Sequence, residues 1–172
     1  MPVRSTLAAL ALLAFSGCSG GEDVNTRTLS QARALWDSAG IRDYDLEWTT
    51  SGDRDGHYVA YVRDGKVKRV HAFVDDRRAR VVREIEVKRA DLNYYGVDGL
   101  FTILREEQAT AESDPMPFGQ PKGTRVLLRF TPDPTLGYPR RYRRDVVGRP
   151  KGLAIDVIRL ERSTAPLPPP PA

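Results

Sequence analysis

HYVAYVRDGKVKRVHAFV, residues 57–74, is the stretch on which the fold turns. Two β-rich runs, HYVAYVR (57–63) and KVKRVHAFV (66–74), flank the pair Asp64-Gly65. An Asp-Gly pair in that position marks a hairpin, because a type I′ turn needs positive φ at both central residues. Short links between successive strands imply antiparallel pairing. Just upstream, Tyr44, Leu46 and Trp48 alternate with Asp45, Glu47 and Thr49, the pattern of a half-buried strand. Downstream, REIEVKR (83–89) reads as another short strand with Ile85 and Val87 facing in.

A helix precedes this group. Leu29, Ala32, Leu35, Trp36 and Ala39 recur at helical spacing, Thr28 with Gln31 suits a capping box, and Gly40 suits a stop. A second helix follows the strands. VDGLFTILREEQA puts Val97, Leu100, Phe101 and Leu104 on one side, and Asp98 favours its N-terminal end. Gly99 weakens that helix, so a packing reason for it is expected. The stretch ESDPMPFGQPKG (112–123) is a loop. TRVLLRF (124–130), RRYRRDV (140–146) and GLAIDVIRLER (152–162) then read as strands. In the last, Leu153, Ile155 and Val157 share one face and Ile158 and Leu160 the other, which implies a bulge or a strand covered on both sides. Between them, PDPTLGYP (132–139) reads as a corner, with Gly137 at positive φ and Tyr138 over the core edge. The expected fold class is α+β: two helices on a mainly antiparallel sheet of six to seven strands, in the order α-β-β-β-(β)-α-β-β-β.

The chain has 172 residues, 29% of them charged and 40% hydrophobic, as in an ordinary globular domain. Its 22 arginines against 5 lysines help to give a net charge of +4. The single cysteine, Cys18, excludes an intramolecular disulfide. It follows an apolar run, TLAALALLAF (6–15), behind Arg4. That run would span about 15 Å as a helix, too short for a hydrocarbon core about 30 Å thick. The layout is that of a secretory signal, and Phe15-Ser16-Gly17-Cys18 resembles a bacterial lipobox, with Phe15 where leucine is usual. The expectation is a signal peptide over 1–17, lipid attachment at Cys18, a flexible tether over 18–27, one domain over 28–163 and a disordered proline-rich tail over 164–172. Two or three acyl chains anchor firmly where one does so only marginally.

Four segments in order, LWDSAGIRDYDLEW (35–48), YVRDGKVKRV (61–70), YYGVDGLFTIL (94–104) and FTPDPTLGYPRRYRRD (130–145), resemble a bacterial family of secreted proteins and lipoproteins catalogued as a domain of unknown function, number 6174. The likeness covers about residues 33–160. It implies the fold and an exported location and carries no activity. Many members have cysteines after the first strand; this chain has none there.

A search for chemistry among the residues yields no catalytic, cofactor-binding or metal-ligating set. His57 and His71 lie outside metal-spaced motifs, and no nucleophile elbow or phosphate-cradling glycine loop is present. Asp75-Asp76 reads as a solvated charged turn beside Arg77 and Arg78. From Lys66 to Arg89 nine basic residues stand against four acidic ones. RRYRR (140–144) mixes an aromatic with four arginines, which makes Arg141, Arg143 and Arg144 candidate contacts for a polyanion such as an acidic glycan. The outer face of a strand, with Tyr142 packing inward, accounts for the same pattern. The sequence thus points to a non-enzymatic envelope lipoprotein, a binding or structural module at a membrane. Its partners are the membrane itself, another exported protein that it inhibits or chaperones, or an acidic glycan, and not nucleic acid. Ligand, leaflet and oligomeric state leave no mark in the sequence.

Overall fold

The computed structural model describes residues 21–76, 79–84, 92–149 and 152–169. Cys18 and the apolar run before it lie outside these residues, as do Ile85 and Val87. Asp64 and Gly65 take φ values of 53° and 70°, so the hairpin turn is the one their chemistry demands. It joins β3 (Gly56–Arg63) to β4 (Lys66–Asp76), within a run that starts at β2 (Tyr44–Gly52) and ends at β5 (Ala79–Glu84). A second run holds β6 (Val126–Pro132), β7 (Pro139–Val146) and β8 (Leu153–Arg162). A two-residue strand, β1 (Glu22–Asp23), pairs with β6 at one edge. Among the described residues all pairings are antiparallel, and the order across the sheet is β1-β6-β7-β8-β2-β3-β4-β5. The α+β fold read from the sequence is therefore the observed one, with seven full strands and two helices among the described residues. The two runs meet where β8 pairs with β2.

Helix α1 (Thr26–Ala39) starts earlier than the Thr28 cap expected. Asn25 is the N-cap; its side chain accepts from the Thr28 amide at 3.0 Å, and the Thr28 hydroxyl accepts from the Asn25 amide at 3.2 Å. The box is thus Asn25 with Thr28, and Gln31 plays no part in it. The pairing of Glu22 and Asp23 with Phe130 and Arg129 likewise takes residues 22–27 out of the tether and into the domain. Leu29, Ala32 and Trp36 are buried, whereas Leu35 sits on the shoulder, 45% exposed. Gly40 ends the helix in the left-handed region.

Helix α2 (Val97–Ser113) buries Val97, Leu100, Phe101 and Leu104, as its spacing predicts. Its N-cap, Gly96, has no side chain to offer, so the buried Tyr44 hydroxyl accepts from the Val97 amide at 3.0 Å. Burial pushes that hydroxyl well above the ordinary phenol range. A 3-10 turn, Leu92–Tyr95, leads into the helix. A Cβ on Gly99 would lie 2.3 Å from the Tyr94 backbone, which is the packing reason for a glycine there.

Both helices cover one face of the sheet, and the core lies between. Leu46, Ala60, Val97, Leu100 and Leu104 are fully buried. The opposite face is polar, with Arg63 on Asp45 at 2.8 Å and His57 on Glu47 at 2.7 Å. Two expectations about strand ends change. Asp75 and Asp76 lie in β4, paired with Arg80 and Ala79, and not in a loop. In β8 the register shifts opposite Glu47 and Trp48, which pair with Arg159 and Val157 and leave Ile158 unpaired and 57% exposed. The bulge resets the alternation, and Leu160 returns to the core face with Ile155 and Val157. The proline-rich tail also touches the sheet: the carbonyls of Ala165 and Pro168 accept from Arg63 and Arg69.

The corner at 132–139 closes on itself. Asp133 Oδ1 accepts from the Thr135 and Leu136 amides at 3.0 and 2.8 Å, and the Gly137 amide donates to the Asp133 carbonyl. Gly137 has φ of 77°, and a Cβ there would meet the Ala32 carbonyl oxygen at 2.2 Å. Tyr138 packs edge-on to Trp36 at 6.3 Å. Gly137→Ala should therefore cost about 2 kcal/mol in chemical denaturation, while Tyr138→Phe should change stability little.

Candidate functional site

Alternation along the central strands puts Trp48 and Thr50 of β2, Tyr58 of β3, Ile155 of β8 and Arg144 of β7 on the helix-bearing face. Beyond Trp48 the helices no longer cover that face fully, and a cleft of about 560 Å³ opens there. Its floor is Trp48, Thr50, Leu153 and Ile155; its wall is Tyr94 and Tyr95 of the 3-10 turn and Ile103, Glu106 and Glu107 of α2. Asp53, Arg54 and Arg144 close one end.

The aromatic part is held by direct contacts. Trp48 lies against Tyr58 with centroids 4.6 Å apart, and Tyr95 meets both rings at 6.0 and 5.4 Å. The Trp48 indole N–H donates to the Tyr95 carbonyl at 3.2 Å, which pins the 3-10 turn to the sheet. Tyr94, 39% exposed, donates its hydroxyl to Glu106 at 3.0 Å.

The polar end centres on Arg144, whose side chain is only 8% exposed. One terminal nitrogen donates to both oxygens of Glu107 at 2.8 Å, and the other donates to Asp53. Tyr142, two residues before it on the same face, also donates to Glu107 at 2.8 Å. Burial, with the Glu107 carboxylate beside it, holds the Tyr142 hydroxyl far above the phenol range. The Phe118 ring lies over the guanidinium at 4.1 Å. To place it there, Phe118 adopts φ of 56°, a conformation that strains a bulky residue. The network ties α2, β7 and the turn after β2 into one rigid end wall. Arg144 Nε and Thr50 Oγ1 are sealed from solvent, and among the described residues neither has a hydrogen-bond partner.

The sequence-derived candidates fall apart in space. Arg141 and Arg143 lie on the outer face and share Asp156, at 3.0 and 2.8 Å. Arg144 points to the other face, as strand alternation requires, so the three do not form one basic surface. His57 stacks on Phe73 at 4.4 Å on the outer face, and His71 is buried with Nδ1 3.3 Å from the Tyr61 hydroxyl. Among the described residues, no group of three or more His, Cys, Asp or Glu could hold a metal ion. Nor is any described helix long and apolar enough to cross a membrane. The cleft residues were missed because most come from separate elements. One signal was present: Arg144 is in phase with the inward Tyr142, and an inward arginine implies buried carboxylates to receive it.

No family model matches the chain, and no curated protein matches it either.

Proposed function

We propose that this protein is a non-enzymatic binding module of the bacterial cell envelope, held at a membrane by lipid on Cys18, and that it takes a small ligand into the cleft between α2 and the sheet. The observation that carries the binding half is the cleft itself, about 560 Å³, where apolar Ile103, Leu153 and Ile155 meet the exposed Tyr94, Asp53 and Arg54. A concave, mostly apolar site with a few convergent polar groups suits a small molecule. The cleft is preferred to the arginine strands because Asp156 already neutralises part of the charge on Arg141 and Arg143. The lipidation half rests on the lipobox-like residues 15–18 and on the resemblance of four ordered segments to a secreted and lipoprotein family.

Two measurements test it. In cells fed an alkyne fatty acid, the wild type should label and sediment with membranes, and Cys18→Ser should do neither. Equal sedimentation of the Ser variant would refute the anchor. In a fragment screen by methyl NMR, hits should move the Ile103 and Ile155 signals. A screen whose hits all fall elsewhere would refute the cleft.

A further inference from the structure

We propose that the outer face of the sheet at Arg63 and Arg69 is a receptor for a proline-rich peptide segment, and that the chain's own tail is its tethered occupant. From the end of β8 the tail, STAPLPP (163–169), crosses that face. The Ser163 amide donates to the Asp43 carbonyl at 3.2 Å, next to the start of β2. Arg63 of β3 then donates twice to the Ala165 carbonyl, from Nε at 3.2 Å and from Nη2 at 3.0 Å. Arg69 of β4 donates to the Pro168 carbonyl. Arg63 is held ready for this contact. Its Nη1 donates to Asp45 and to the carbonyls of Tyr44 and Val62 at 2.7–3.2 Å, which leaves Nε and Nη2 for an arriving chain. Arg69 pairs across the hairpin with Tyr61, so the half-buried Tyr61 ring shares the face with both arginines.

A guanidinium group only donates. An ordinary extended segment would bring its own N–H groups to the arginines, which cannot accept from them. A proline brings a carbonyl and no N–H. In a polyproline II helix no carbonyl is used internally, and at three residues per turn the carbonyls of i and i+3 face the same way, about 9 Å apart. Ala165 and Pro168 have that spacing. The locked φ of proline also lowers the cost of ordering the segment, and an aromatic ring beside it is the common partner of such helices. An acidic peptide fits less well, because Asp45 already pairs with Arg63 at 2.8 Å and Glu47 lies on the same face. A tail on so short a tether has an effective concentration of about 1 mM. If it is docked roughly nine-tenths of the time, the same peptide free in solution has a Kd of about 0.1 mM.

The test uses the full chain in detergent and the synthetic peptide STAPLPPPPA, with a Gly-Ser peptide of equal length as control. The Leu167 methyl signals report the tail, and those of Ile103 and Ile155, at the cleft, report that the domain is folded. In the wild type Leu167 should relax as part of the folded domain, and in Arg69→Met as a free chain. A full-chain variant with Pro166→Gly, Pro168→Gly and Pro169→Gly vacates the face. It should bind the peptide with a Kd of about 0.1 mM, at least about tenfold tighter than the wild type does. Adding Arg69→Met should weaken that binding about tenfold or more, the loss of one hydrogen bond from a charged donor. Ile103 and Ile155 should keep their shifts in every variant. A wild-type Leu167 that relaxes as a free chain overturns the proposal. So does a vacated variant that binds the peptide no better than the Gly-Ser control, or equally well with Met at position 69. None of these results touches the cleft, which opens on the other face of the sheet.

Discussion

Arg144→Met should unfold in urea with about 3–5 kcal/mol less stability than the wild type, the largest loss expected from any single side chain here. Glu107 is 15% exposed and receives Arg144 and Tyr142. Removing the arginine leaves the carboxylate mostly out of water, with the Tyr142 phenol as its remaining side-chain donor. The strained Phe118 loop also loses the cation over which its ring lies. Asp53 contributes less to this loss, because at 39% exposure water can replace its partner. The double variant Arg144→Met/Glu107→Gln removes both charges and should recover a large part of the stability. A double variant as unstable as the single one would show that packing, and not charge, governs this wall.

Gly99→Ala should lower stability by roughly 3 kcal/mol, the upper end of overpacking, or about 6–12 °C in Tm. The sign is the telling part. Alanine in place of glycine in a helix ordinarily gains up to about 1 kcal/mol. Here the added methyl meets the Cα, carbonyl carbon and oxygen of Tyr94 at 2.3 Å, and backbone cannot rotate away as a side chain can. The 3-10 turn must move, and with it Tyr94 and Tyr95, so any ligand of the cleft should be lost as well. An alanine variant as stable as the wild type would mean that the turn is free to shift.

What the sequence could declare depended on how local the cause is. The Asp64-Gly65 turn needs only its own two backbones, and the buried face of α2 needs only its spacing. Gly99 and Gly137 stand out in the sequence because a helix interior and a proline-flanked corner accept glycine only for a steric or conformational reason, although the atoms each avoids belong to distant or differently folded segments. The bulge in β8 was visible as a clash of phases, and only pairing with β2 placed it at Ile158. The helix start was misplaced because Asn25 and Thr28 can both cap, and the choice depends on β1 pairing with β6 more than 100 residues away. The site was the least legible part. Arg144 finds Asp53 91 residues earlier and Glu107 37 residues earlier, and no period in the sequence links them.

The pairing of β1 with β6 has a consequence for reach. With lipid on Cys18, only four steps of chain separate the anchor from Glu22, the first residue held in the sheet. At about 3.3–3.6 Å per residue the leash is about 14 Å long at full stretch. Four strand spacings, about 19 Å, then separate β1 from the cleft floor on β2. The cleft would thus patrol a shell no deeper than roughly 35 Å above the bilayer. Within that shell its effective concentration toward anything fixed to the same membrane is high, and beyond it falls to zero. So anchored, the protein could not rise, and any ligand of the cleft would have to come down to the membrane surface.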